Sequence, residues 1–217
     1  MHTECVQNQS ITKHNNTMKN VVNRALAAKR KQIILFIAVL MSIGAMAQGH
    51  LKFKGVEMAG TPREFAQKLA QTGLTYLGVD DGIIMLQGDF AGVKKCQFFI
   101  SDESEVVDMI GVYTPDYDDW SSLYSQWSQW KDMLTRKYGE PTSLEAAWTI
   151  GYEPTTDTEK LYWFEAGGGK FEAIFTIKDL GVIKCEMRHS STYNYVSLLY
   201  EDYQGMTIVS SDAYEDL

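Results

Sequence analysis

Hydrophobic positions along this chain recur at two spacings, and each spacing predicts a different element. Steps of three and four link Phe65, Ala66, Leu69 and Ala70, which follow Thr61, Pro62 and Glu64 and precede Gly73. Thr61 can cap the first-turn amides, proline suits the first helical position, and Glu64 completes a capping box, so a helix is expected here. The same steps link Trp120, Leu123, Tyr124, Trp127, Trp130, Leu134 and Tyr138, with Ser121, Ser125, Ser128, Gln129 and Asp132 largely off the stripe. That predicts a second, longer amphipathic helix, stopped by Gly139 and Pro141.

Steps of two predict strands. A short one is expected over 50–58, and four more over 74–79, 83–88, 93–101 and 105–113, between the helices. Five further strands are expected after the second helix, over 146–152, 159–165, 171–178, 182–188 and 193–200. Asp81-Gly82 is a favoured tight-hairpin pair, and the segments Pro154 to Asp157, Gly167-Gly168-Gly169 (read as a glycine hairpin) and Asp179-Leu180-Gly181 carry turn chemistry. Short connections force antiparallel neighbours, so the expected class is α+β: an antiparallel sheet with two helices packed on one face. The order also reads as two tandem helix-plus-four-strand units, 48–117 and 118–204, followed by an acidic tail at 205–217. Gly92-Val93-Lys94-Lys95-Cys96 and Gly181-Val182-Ile183-Lys184-Cys185 match at four of five positions, although the spacing from the preceding helix differs between the halves.

The amino-terminal segment changes the charge. Lys29-Arg30-Lys31 precedes the apolar run 33–41 and the small-residue triplet Ala45-Met46-Ala47, the pattern of a secretory signal peptide cleaved between Ala47 and Gln48. The apolar run falls short of the roughly 18 residues that span a bilayer, so residues 1–47 are expected to be removed and no stable membrane span to remain. The start is open between Met1 and Met18. Removal takes six basic residues and one acid from totals of 20 and 28, leaving 14 and 27 and a formal charge of −13. Such a field repels phosphate backbones, which disfavours nucleic acid as a partner, and the leader places the protein in the periplasm or outside the cell.

Two resemblances accompany this layout. The segment Phe53-Lys54-Gly55-Val56, Gly60-Thr61 and the helix with Phe65, Lys68-Leu69 and Gly73 resembles the opening of small exported proteins of unknown function from anaerobic Gram-negative bacteria. That resemblance covers about the first quarter of the expected mature chain and implies no catalytic residue. In layout alone, two helix-then-four-strand units are similar to the β-lactamase inhibitory proteins, an analogy of fold that implies no interface residue here.

Candidate chemistry is sparse. Only His50 and His189 follow the leader, and the sequence contains no H-E-x-x-H, G-x-S-x-G or C-x-x-C. Gly167-Gly168-Gly169-Lys170 lacks the earlier glycine and the following hydroxyl of a phosphate loop. Asp116, Asp118 and Asp119 group hard oxygens that suit Ca²⁺, although helix capping is the stronger reading of Asp118 or Asp119. Cys96 and Cys185 can form a single disulfide in an oxidising compartment or can act as small core hydrophobes, and both readings stand.

The aromatic load stands out, with five Trp and twelve Tyr. Trp120, Trp127 and Trp130 fit the core-facing stripe of the helix. Helices cover one face of a sheet, so aromatic groups on the other face would mark a partner site, and Trp148, Tyr162 and Phe164 are candidates. The expected function is therefore that of an exported, non-enzymatic binding protein for a protein or peptide of the cell envelope, without cofactor. The alternatives are a carbohydrate- or calcium-linked surface module, or a hydrolase using carboxylates such as Asp80, Asp81, Asp116 and Asp118.

Overall fold

A computed structural model describes residues 49–206. The leader at 1–47, the cleavage residues Ala45, Ala47 and Gln48, and tail residues 207–217 lie outside the described residues. The fold is α+β. Strands β1 (Lys52–Phe53) and β2 (Val56–Glu57) form a small hairpin, followed by α1 (Pro62–Gln71). Then come β3 (Thr75–Asp80), β4 (Ile83–Phe90), β5 (Val93–Ser101), β6 (Met109–Tyr113) and α2 (Trp120–Tyr138). The second half holds β7 (Ser143–Trp148), α3 (Asp157–Glu165), β8 (Gly169–Ile177), β9 (Gly181–Ser190) and β10 (Tyr193–Asp202).

Strands β3 to β10 make one eight-stranded antiparallel sheet in the order β3-β4-β5-β6-β10-β9-β8-β7. Each half is thus a meander of four strands, and the two meet along β6 and β10. The matching Gly-Val-x-Lys-Cys segments both lead into the third strand of their meander, β5 and β9.

Register turns the two-residue alternation into a layer. Leu86, Phe98, Val112, Leu198, Cys185 and Ala173 are successive cross-strand partners over six strands. Directly opposed residues point to the same side, and none of these six is more than 2% exposed. Against this row lies α2, whose buried stripe is Trp120, Leu123, Trp127, Trp130 and Leu134. The Trp127 indole N–H donates to the Cys185 carbonyl at 3.2 Å, tying the helix to the middle of β9. Phe65, Ala66 and Leu69 of α1 belong to the same continuous cluster. Both capped starts form as expected: Thr61 with Glu64 in a capping box, and Asp119 accepting from the Ser122 amide.

The N-terminal segment is secured by a buried carboxylate. Asp202, at the end of β10, is 0% exposed and accepts from the amides of Leu51 at 2.6 Å, Gln204 at 2.9 Å and Gly205 at 3.1 Å. His50 lies 3.1 Å from the same carboxylate. Buried oxygens are stable only when their lone pairs are used, and here several amides use them.

Several expectations are corrected. Residues 159–165 form most of helix α3 and no strand, and Gly167 and Gly168 close that helix while Gly169 opens β8, so the three glycines make no hairpin. Four successive apolar side chains, Leu161 to Phe164, fit either period, and the ends decide between them. Thr156 and Glu159 form a reciprocal capping box, and the Thr155 and Thr156 amides hold the Glu159 carboxyl below its usual range. At the other end Gly167 takes φ of 78°, while Gly167 N–H donates to Phe164 C=O and Gly168 N–H to Trp163 C=O. This pair of bonds is a Schellman termination, which needs the left-handed residue glycine provides. The strand expected over 105–113 begins only at Met109, because the Val107 amide is used on the Gly60 carbonyl.

The disulfide reading is also corrected, since Cys96 and Cys185 are both free and buried. Strands β5 and β9 are separated by β6 and β10, three steps of about 4.8 Å. That separation is about twice the roughly 7 Å over which Cα atoms can be bridged.

Two outcomes follow for stability. Replacing Trp127→Ala removes the central indole and leaves a cavity, so urea unfolding should show a loss of about 3–5 kcal/mol. Burial pushes the Cys96 thiol up to about 11 and raises the Cys185 thiol and the Tyr200 phenol as well. The native state therefore holds protons that the unfolded chain releases, and their stabilisation is full below about pH 8 and declines as pH rises through about 9 and beyond. A urea midpoint series from pH 7 to 11 should fall steadily over its alkaline half, and both thiols should react with a thiol reagent only on unfolding.

Candidate functional site

The other face of the sheet is built by the intervening residues. Met85, Phe99, Gly111, Leu199, Lys184 and Ile174 form one cross-strand row. Gln87, Gln97, Tyr113, Ser197, Glu186 and Glu172 form the next. In these two rows the β4, β5, β6 and β10 residues are uncharged, and charge enters at β9 and β8 with Lys184, Glu186 and Glu172. There Lys184 pairs with Glu201 at 3.0 Å and Arg188 with Glu186 at 2.6 Å.

A run of touching rings crosses the centre. Phe99 and Tyr113 have centroids 4.8 Å apart, and Tyr113 and Tyr195 are 4.9 Å apart. Glycine makes this possible: Gly111 lies directly opposite Phe99, and a Cβ there would sit 3.4 Å from the Tyr113 ring. The rings thus cover a bare stretch of backbone, the packing by which aromatic neighbours compensate a glycine in a strand. Burial raises the Tyr195 phenol above its ordinary value, Tyr113 adds to the shift, and the Arg188 guanidinium opposes it.

Beside the rings lies a groove of about 620 Å³, lined by Gln87, Gln97, Tyr113, Asp116, Tyr193 and Tyr195 among others. Its wall is fixed by the segment that follows β6. Thr114 N–H donates to Val196 C=O, Val196 N–H donates to the Thr114 hydroxyl, and Tyr117 N–H donates to Asn194 C=O. Asp116 accepts from the Asn194 amide at 2.7 Å, and the Asn194 side chain reaches Glu165 at 2.8 Å. Tyr193 and Tyr195 are thereby held over the groove, and 59% of Tyr193 is exposed. Aromatic rings beside amide side chains offer both stacking area and hydrogen-bond capacity.

The structure distributes the residues singled out in the sequence. Trp148 lies against Trp120 at 5.1 Å and Phe171 at 5.4 Å, on the side of the sheet that packs against α2. Its ring crosses Gly169, where a Cβ would meet it at 2.8 Å. Phe164 is buried, and Tyr162 is 61% exposed on α3 beside the Trp163 ring. None of the three belongs to the rows around Tyr113, because two of them follow a helical period. Trp148 does sit by a second depression, of about 670 Å³, shared with Tyr124, Tyr152 and Lys160.

The carboxylates separate likewise. Asp119 is the N-cap of α2, and the Ser122 amide and Ser121 hydroxyl hold its carboxyl below the usual range. Asp116 serves the β10 backbone, and Asp118 is exposed. Among the described residues no three His, Cys, Asp or Glu side chains come together as a metal site. Asp80 and Asp81 occupy the β3–β4 turn, at the opposite end of the strands from Asp116 and Asp118. An eight-residue strand spans about 27 Å, whereas paired hydrolytic carboxylates stand about 5–9.5 Å apart. The two thiols, raised by burial, are held in the unreactive protonated form at neutral pH.

Phe99 and Tyr113 are the site residues that sequence reasoning missed. The signal was present: if Phe98 and Ile100 face inward, Phe99 faces outward, and if Ile110 and Val112 face inward, so does Tyr113 face outward.

Substitution of Gly111→Val should displace the Tyr113 ring and lower stability, whereas Tyr195→Phe should leave stability nearly unchanged. Ultraviolet difference titration of Tyr195→Phe against the parent should show the missing phenol ionising above pH 10, the value of an ordinary tyrosine. Compared with known proteins, the chain matches no family model, no curated protein and no solved structure.

Proposed function

We propose that this is an exported, non-enzymatic binding protein that takes a protein or peptide ligand on the sheet face around Phe99, Tyr113 and Tyr195, both helices α1 and α2 covering the other face. The observation that carries this reading is the run of three touching rings beside an amide-lined groove, on a face built from rigid strands. Aromatic groups bury much apolar area with few rotatable bonds, which is why they dominate protein contact sites. The salt-bridged charges toward β8 and β9 give the patch a polar rim. The leader pattern supports export, and the acidic balance disfavours nucleic acid. The likeness of layout to the β-lactamase inhibitory proteins is compatible with such a role and adds no residue to it.

One observation favours a second reading, that of a glycan-binding module. The depression beside Trp148 combines Tyr124, Tyr152 and Trp148 with Glu153 and Lys160, aromatic planes next to polar groups.

A photo-reactive amino acid at position 97, on the groove, separates these readings. It should form one saturable adduct with a defined protein of the envelope fraction, lost when Tyr113→Ala and Tyr195→Ala are combined in a chain that still folds. The same probe at exposed Lys68 on α1 should give none. Equal labelling from both positions would contradict the protein-ligand reading, and quenching of Trp148 by oligosaccharides would replace it with the second.

A further inference from the structure

A separate groove of about 370 Å³ lies on the opposite side of the sheet from the rings, between the second half of α2, the β1–β2 hairpin and the β4–β5 turn. Its apolar lining includes Phe90, Trp130, Leu134, Leu198 and Tyr200. Among the described residues its charged lining is all of one sign: Lys52, Lys54 and Lys137. In a chain of formal charge −8, this is a local reversal.

Two of the three lysines have no carboxylate partner among the described residues. Lys52 pairs with Glu57 at 3.0 Å, both side chains being more than half exposed. Lys54 donates to the Asp89 backbone carbonyl at 3.4 Å, and Lys137 stands 4.7 Å from the centre of the Tyr138 ring. Trp130 belongs to the apolar wall: it is 1% exposed, and its indole N–H, which has no acceptor among the described residues, is turned away from solvent.

We propose that this groove binds a free single-chain amphiphile with a carboxylate head, of the fatty-acid class. The tail lies along the apolar wall, and the head is held among the lysine ammoniums. The volume falls within the range of about 300–1,000 Å³ typical of small-molecule sites. A cation of the same tail length would bring like charge against three lysines, and a short acid would leave the wall unfilled.

Calorimetric titration of the purified protein with sodium decanoate, below its micellar concentration and at low salt, tests the assignment. Saturable one-to-one binding is expected, and decyltrimethylammonium should bind at least about tenfold more weakly, as should hexanoate. Combining Lys54→Gln with Lys137→Gln should weaken decanoate about tenfold in a chain of unchanged circular dichroism. Tyr113→Ala, on the ring face, should leave decanoate binding intact, so failure here is distinct from failure of the ring face. Absence of saturable binding, equal binding of the cation, retention of affinity in the lysine variant, or loss in Tyr113→Ala would each overturn the proposal. So would binding to vesicles of anionic two-chain lipid without binding of free decanoate.

Discussion

The burial of one tryptophan stripe governs this molecule. Helix α2 brings Trp120, Trp127 and Trp130 onto the sheet, and Trp127 is fixed by its hydrogen bond to the Cys185 carbonyl. Three indoles on one face require a broad apolar surface beneath them, and the alternating residues of β4, β5, β6, β8, β9 and β10 supply it. Once that row is inside, every intervening residue must point the other way, because a slip of one residue would invert the whole strand. The ring run of Phe99, Tyr113 and Tyr195 is therefore a geometric consequence of what α2 buries.

This constraint also explains why the candidate chemistry is dispersed. A sheet lined with buried apolar groups places polar side chains at its ends and on its open side. The carboxylates accordingly serve local backbone: Asp119 caps a helix, Asp116 braces β10, and Asp202 fastens the N-terminal segment. The thiols sit in the core, where burial keeps them protonated. The two proposed sites lie on opposite sides of the sheet, the ring face on one and the lysine-rimmed groove on the other.

Elements with long periodicity or clear ends were legible in the sequence, and α1, α2 and the Asp81-Gly82 hairpin form where the pattern places them. Helix α3 is hidden in the sequence because Leu161 to Phe164 is a short, continuous apolar run that fits a strand as well as a helix. Its real determinants, Thr156 with Glu159 and the Gly167 termination, lie at its ends and are short-range signals. A strand there would place Tyr162 and Phe164 on a sheet face that, as helical residues, they do not occupy. Trp148 is a strand residue, and its side was undetermined until register placed it opposite Gly169. Phe99 and Tyr113 were within reach of simple alternation, but nothing in the sequence shows that β6 pairs with β10, and that pairing is what brings Tyr195 beside Tyr113.

Hydroxyl-radical footprinting with residue-level mass spectrometry tests the central claim most directly, because it compares neighbours on the same strand. The two-sided sheet predicts oxidation of Phe99, Tyr113, Tyr195 and Leu199 alongside protection of Phe98, Val112, Val196 and Leu198. Similar labelling of adjacent residues, or protection of Tyr113 and Tyr195 to the level of Phe98, would contradict it.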